Sequence, residues 1–251
     1  MQMSKAEKSR GKLWETLVEH GELKRALASI DDSIKRHPRD DLLYRERAHL
    51  HLYLGHTQQA RSDFDATVRL ADFRTRPGRL HSDSEYNAKG LTYWMEGHRE
   101  LALAFWRYTT SMLAANRVAY AHMGGGIESG LLLWFGAVHL RTADDIELVR
   151  AFYEQRLKST MWSHNLTRWP GPIVRFFLKQ IDEQKLIEDA SGNEHELCEA
   201  HFALATRARE LGRYAAYRKH LKLAAPEKGA RAIYDFYNVW PYFLAKFELE
   251  N

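Results

Sequence analysis

The apolar positions recur with a helical period, and one turn pattern repeats along the first half of the chain. Gly21, Gly55 and Gly97 are each followed five residues later by alanine and nine residues later by a bulky apolar residue. These residues are Ala26, Ala60 and Ala102, then Ile30, Phe64 and Trp106. Glycine adopts the left-handed backbone that ends a helix, and alanine lets the next helix approach closely. The pattern therefore predicts pairs of helices joined by glycine turns.

The first two glycines are 34 residues apart, which is typical of the tetratricopeptide repeat. A single unit of this kind cannot bury its apolar face alone, so several must stack. We predict repeat one over residues 7–40 and repeat two over 41–74, with repeat three displaced by eight residues because a segment is inserted before Tyr86. The expected fold is all-α: a right-handed superhelical stack of helix-turn-helix pairs.

The repeat pattern fails after Ala115, and three glycines at 124–126 interrupt any helix. We therefore divide the chain into three repeats over 1–115 and a continuous second part, 116–251, with degenerate repeats and a C-terminal cap. The helices predicted in the second part cover residues 128–140, a segment opened by Thr142, and 173–178, 183–190, 194–211, 213–224 and 230–250, the last on either side of Pro241. Tyr217 replaces the repeat alanine in the fourth pair.

Composition favours a folded chain in a reducing compartment. With 251 residues and 45% apolar content, the chain can bury a sizeable core. The excess of Lys and Arg over Asp and Glu is 37 − 33 = +4, and the charges are interspersed, so nucleic acid is permitted but not required. Cys198 is the single cysteine, which excludes an intramolecular disulfide. We expect a cytoplasmic protein, without a secretory signal or a membrane-spanning helix.

Three segments in the second part resemble, in order, the tetratricopeptide lipoprotein family typified by new lipoprotein I (NlpI). They read Leu-Leu-Leu-Trp-Phe-Gly-Ala-Val-His-Leu at 131–140, Trp-Pro-Gly-Pro-Ile-Val-Arg-Phe-Phe-Leu at 169–178, and Leu-Cys-Glu-Ala-His-Phe at 197–202. The resemblance implies a non-catalytic scaffold, often a homodimer, that brings a protease or hydrolase together with its substrate. The family's lipoprotein signal is not seen near the amino terminus, so its envelope location is not carried over.

The sequence offers few candidates for chemistry. His195, Cys198 and Glu199 share one face of a helix and are all possible zinc ligands, but a small cysteine in an apolar segment usually packs in the core. The glycines at 124–126 are followed by neither the Lys-Ser nor the Lys-Thr pair of a phosphate-binding loop. We therefore predict a protein that is not an enzyme and that holds no metal or cofactor.

The resemblance to the repeat family places the first helix of each pair along a concave groove. The groove positions of repeats two and three that we select are Leu42, Arg45, His49, Tyr53, Asn87, Leu91, Trp94 and Met95. Several are residue types enriched at binding surfaces. For Trp94, packing in the core is an equally good interpretation. The inserted segment forms a basic loop with Arg74, Arg76 and Arg79, which could contact a partner or remain solvated.

The function that these features favour is a protein–protein interaction scaffold or adaptor that holds a protein segment in its groove. One alternative is a partner protein that neutralises a toxin or regulates an enzyme. The residues of the groove do not distinguish such a protein from a scaffold. Another is a helical repeat protein that binds nucleic acid through the basic loop. Nucleic acid is the less favoured partner because the charges do not form a long basic block.

Overall fold

The computed structural model describes most of the chain, namely residue 17 and residues 21–74, 83–117, 125–159, 165–225 and 240–251. Within these residues the regular structure is entirely helical, with twelve α-helices, one short 3-10 helix and no β-strand. The predicted all-α class is confirmed. None of the described helices is both long and apolar enough to cross a membrane.

The chain forms two compact units, Met1–Gly78 and Arg79–Asn251. In the first unit the helices are α1 (Leu23–Arg36), α2 (Asp41–Tyr53) and α3 (Thr57–Arg74). In the second unit they are α4 (Asp83–Met95), α5 (Arg99–Ala114), α6 (Ile127–Leu140), α7 (Ala143–Lys158), a 3-10 turn (Asn165–Thr167), α8 (Gly171–Phe177), α9 (Glu183–Ala190), α10 (Glu194–Glu210), α11 (Tyr214–Ala224) and α12 (Trp240–Glu250). The boundary between the units lies at the predicted insertion, whereas our division at residue 115 follows repeat regularity and stays a prediction.

Four turns are built in the same way, as the glycine pattern predicts. Gly21, Gly55, Gly97 and Gly212 all have a positive φ, between 70° and 84°. After each glycine, the next backbone N–H donates to the carbonyl five residues earlier, at 2.7–2.9 Å: Glu22 to Leu17, His56 to His51, His98 to Tyr93 and Arg213 to Ala208. This bond satisfies a carbonyl that the end of the helix leaves without a partner. The glycine turn is thus the common element of the sequential helix pairs.

The residues five and nine positions after each turn glycine are buried. Ala26, Ala60 and Ala102 are fully buried, and so are the bulky residues four positions further on. The pairs α2–α3, α4–α5 and α10–α11 have extensive contacts between their members. In the α10–α11 pair, Tyr217 takes the alanine position and is buried, and Leu221 takes the bulky position. The fourth pair therefore keeps the turn of the others and changes the residue at the helix contact.

Proline fits the ends of two further helices. Pro172 lies in the first turn of α8 and Pro241 in the first turn of α12, where the missing N–H has no helical acceptor. The predicted helix on the amino-terminal side of Pro241 falls on residues 230–239, which lie outside the described residues. From Trp240 onward, α12 contacts α4, α10 and α11, so it covers several helices of the second unit.

Substitution of Gly90 tests how closely α4 and α5 must approach. A Cβ at Gly90 would overlap the indole ring of Trp106, which is fully buried and donates from Nε1 to the Asn87 carbonyl at 3.2 Å. Alanine normally stabilises a helix relative to glycine. Because the ring cannot move without disturbing the core, we expect Gly90→Ala instead to lower the free energy of unfolding by about 1–3 kcal/mol in chemical denaturation.

Gly97 supplies the matched control, because a Cβ there meets no atom within 4 Å. Alanine at this position is disfavoured only by the left-handed backbone. We therefore expect Gly97→Ala to lower the free energy of unfolding by roughly 1 kcal/mol. A Gly90→Ala protein that is as stable as the wild type would contradict the close helix contact.

Candidate partner-binding surface

The predicted groove positions of α2 lie partly at the surface. Leu42 is 41% exposed, and Arg45 and Tyr53 are half-buried. His49 is buried and meets the Phe64 ring edge-on, with 5.6 Å between ring centroids. Burial, assisted by the charge of Arg45, lowers the pKa of His49 to about 3, so its imidazole is neutral at physiological pH. Leu42 is thus the exposed predicted position of α2, whereas Arg45 and Tyr53 are partly exposed and bury the Arg45 Nε and Tyr53 hydroxyl atoms.

The predicted groove positions of α4 are mostly in the core of the second unit. Asn87, Leu91 and Trp94 are at most 1% exposed, whereas Met95 is half-buried. Asn87 donates from Nδ2 to Ser129 Oγ on α6 at 2.8 Å. The Trp94 ring packs against Trp106 and Phe135, with centroids 5.5 and 5.1 Å away. Of the two interpretations of Trp94, this structure places the ring in the core.

The predicted basic loop lies almost wholly outside the described residues. Arg76 and Arg79 are not described, and Arg74 is described only as the last residue of α3. A role for this loop therefore stays a prediction.

A carboxylate in the last helix is surrounded by donors from separate helices, a feature that the sequence analysis did not predict. Glu248 on α12 accepts from Trp94 Nε1 on α4 at 2.9 Å and from Tyr217 OH on α11 at 3.0 Å. His139 Nε2 on α6 lies 3.1 Å from its Oε2, and the Arg99 guanidinium on α5 lies 3.8 Å from its Oε1. We call these five residues the Glu248 cluster. It connects α12 to four other helices.

The geometry of His139 indicates how protons are arranged in the Glu248 cluster. Its Nδ1 lies 2.9 Å from the Phe135 carbonyl oxygen, which can only accept, so Nδ1 carries a proton. Its Nε2 lies 3.1 Å from both Glu248 Oε2 and the Tyr217 hydroxyl oxygen. Burial would raise the pKa of Glu248, but the hydrogen bond and charge of His139, together with the bonds from Trp94 and Tyr217, lower it to about 2.

A second buried acid lies in a different electrostatic environment. Glu199 on α10 is 1% exposed and accepts from Trp169 Nε1 at 2.5 Å, while its other oxygen has no hydrogen-bond partner among the described residues. It lines a small cavity together with Glu128, Leu131 and Trp240. Burial, and then the nearby charge of Glu128, raise the pKa of Glu199 well above its usual range. The folded protein therefore holds the Glu199 proton to a higher pH than the unfolded chain does.

The possible zinc ligands on this helix do not form a site. Cys198 is buried, its thiol donates to the Ala224 carbonyl at 3.0 Å, and burial raises its pKa, so the metal-binding thiolate is disfavoured. His195 Nδ1 remains 4.0 Å from Glu199 Oε1. Across the described residues, no group of three or more His, Cys, Asp or Glu side chains is placed to hold a metal ion.

Comparison with known proteins assigns no family to the chain. No model of a known protein family matches it, and no curated protein sequence matches it either. The resemblance to the NlpI family therefore stays a prediction from the three segments quoted above.

The Glu248 cluster predicts how α12 contributes to stability. Glu248→Gln removes the negative charge that faces His139, Arg99 and the donors Trp94 and Tyr217. We therefore expect the free energy of unfolding at neutral pH to fall by about 2–3 kcal/mol in chemical denaturation. The pKa of Glu248 is about 2 in the folded protein, compared with its usual value of 4.5. The contribution of Glu248 to stability is therefore complete above pH 4.5 and disappears as the pH falls toward 2. Glu250→Gln, on the exposed face of α12, is the control and should change little. Equal losses in the two variants would contradict the assignment.

Glu199 should give the opposite dependence on pH. Above its usual pKa of 4.5 the unfolded chain loses the Glu199 proton while the folded chain keeps it, so this group reduces stability as pH rises. Glutamine retains an oxygen that accepts from Trp169 and cannot ionise. We expect Glu199→Gln to raise the melting temperature relative to wild type, more at about pH 8 than at about pH 5.

The control for this measurement is Glu194→Gln, an exposed position on the same helix. Its melting temperature should follow that of the wild type across the pH range. A Glu199→Gln profile parallel to the wild-type profile would show that the acid ionises readily in the folded protein.

Proposed function

We propose that this protein is a non-catalytic scaffold that holds a segment of a partner protein. The observation that carries the proposal is the repeated construction of the helix pairs: four turns share one left-handed glycine and one hydrogen bond. Because three of these turns are also followed by the same buried alanine and bulky positions, we propose that the pairs are tetratricopeptide-type units. Stacked units of this type present an extended surface for recognition. We propose that they stack into a right-handed superhelix, as in proteins of the NlpI type.

The α2 surface is the part of the proposed groove that the structure makes accessible. Leu42 provides an exposed apolar side chain, and Arg45 and Tyr53, at helical spacing from it, combine a charge with an aromatic ring. Such residues contribute much of the energy at protein interfaces. The partner that fits this surface is an extended or helical segment with an apolar anchor and an acidic residue. The partner would be a toxin or an enzyme such as a protease or hydrolase, and the scaffold would bind it without catalysing a reaction.

Crosslinking from the α2 surface tests this proposal. A photo-reactive phenylalanine analogue at Leu42 should capture one partner segment in native cells, and mass spectrometry would identify it. Arg45→Glu, added to the same protein, should reduce the capture about tenfold, because it reverses the charge beside the anchor. Circular dichroism should show that the helical content is unchanged.

Arg36→Glu is the matched control because Arg36 is exposed and its hydrogen bonds, to Asp32 and Ser33, stay within α1. It makes the same charge change in the same unit and should leave capture unaltered. Capture that is insensitive to Arg45→Glu, or reduced equally by both variants, would refute the α2 surface as the binding site.

A further inference from the structure

A surface pocket in the second unit lies between two turns, one joining α6 to α7 and the other joining α10 to α11. Its volume is about 430 Å³. Val138 and Ile146 line its apolar side, and Arg141, Arg209 and Tyr214 line the side that carries charge and an aromatic ring. This pocket is separate from the α4 groove positions, most of which are buried.

The pocket contains two cations that form no ion pair with a carboxylate of the described residues. Arg141 is an exposed turn residue with a φ of 58°, and Arg209 lies above the Tyr214 ring, with 6.0 Å from its guanidinium carbon to the ring centroid. In the part of the chain that the structure describes, no carboxylate forms an ion pair with either guanidinium. Both therefore retain charge to offer to a ligand.

The acid in the same pocket is already engaged. Glu210 Oε2 accepts from Trp134 Nε1 at 3.0 Å and lies 2.7 Å from the Arg207 guanidinium. Its other oxygen is 4.0 Å from the guanidinium of Arg150. Since these groups compensate its charge, the potential at the pocket is set mainly by Arg141 and Arg209, and it is positive.

The remaining wall favours an apolar group over a free ion. Tyr214 is 59% exposed and lines the pocket together with Val138 and Ile146. An exposed tyrosine beside an arginine, above apolar side chains, is a combination enriched in protein interfaces. His139 reaches this pocket as well, but its Nε2 faces Glu248 and Tyr217, which hold the ring in place.

We propose that this pocket binds a protein segment in which a carboxylate stands beside an aliphatic or aromatic side chain. The two guanidiniums receive the carboxylate, for which their planar fork is suited, and Val138, Ile146 and Tyr214 receive the apolar side chain. The inference rests on the proposed scaffold function and adds the chemistry of a partner segment. It uses a surface of the second unit, distinct from the α2 surface of the first.

Fluorescence anisotropy with a defined probe tests the pocket in the full-length protein. The probe is a fluorescein-labelled peptide of repeated Glu-Leu-Asp-Phe, and its neutral counterpart repeats Gln-Leu-Asn-Phe. We expect saturable binding of the acidic peptide and about tenfold weaker binding of the neutral one. Arg141→Gln and Arg209→Gln should each weaken binding of the acidic peptide about tenfold, and Tyr214→Ala should weaken both peptides.

Arg218→Gln is the matched control, because it removes the same charge from an exposed position of α11 that does not line the pocket. It should leave the affinity within about twofold of wild type. Absence of saturable binding, equal affinity for the two peptides, or equal effects of the three arginine variants would overturn the proposal. Tighter, arginine-dependent binding of a labelled single-stranded RNA would also overturn it, in favour of nucleic acid.

The outcome is distinguishable from failure of the scaffold proposal. Crosslinking from Leu42 reports on the first unit and a native partner, whereas the peptide reports on the second unit alone. Capture at Leu42 without peptide binding would remove only the pocket, and peptide binding without capture would remove only the α2 surface.

Discussion

The close approach of two helices across a glycine turn is the constraint on which the described fold depends. Each turn glycine adopts a positive φ, which allows the next N–H to reach back to the carbonyl five residues earlier. The chain then re-enters a helix, and the fifth residue after each glycine is buried. Alanine at that point permits close packing, as the complete burial of Ala26, Ala60 and Ala102 shows. A small residue thus occupies the same buried position after three of the four turns.

The fourth pair shows what happens when that residue is large. Tyr217 occupies the alanine position, and its ring packs in the α10–α11 pair while its hydroxyl extends to Glu248 at 3.0 Å. A side chain that departs from the repeat pattern therefore attaches the last helix to the repeat pair. Trp94 does the same from α4, because its ring fills the core and its N–H reaches Glu248. Tyr217 and Trp94 thus each bury an aromatic ring and donate a hydrogen bond to the last helix.

The sequence was informative where the determining interactions are local. The turns and the buried alanines follow from spacings of five and nine residues, and α9 spans the predicted residues 183–190. The Glu248 cluster depends on contacts between residues 31, 109 and 154 positions apart in the chain, and no local pattern marks such pairs. The same reasoning applies to Trp94: its position in α4 was predictable, but the helices that cover it were not.

The burial of Trp94 changes where recognition can occur in the second unit. Its groove-side positions contact α6 and α12, so their apolar area contributes to folding and is not available to a partner. Turn residues are under a different constraint, since their side chains point away from the helix contacts. Arg141 adopts a left-handed conformation that costs a non-glycine residue about 1 kcal/mol, and Tyr214 leaves most of its ring in solvent. The conformation of Arg141 has a structural role, because it ends α6 and lets the Thr142 N–H donate to the Ala137 carbonyl at 3.0 Å, as at the glycine turns. The binding role that we propose for Arg141 and Tyr214 therefore rests on their exposed side chains and not on backbone strain.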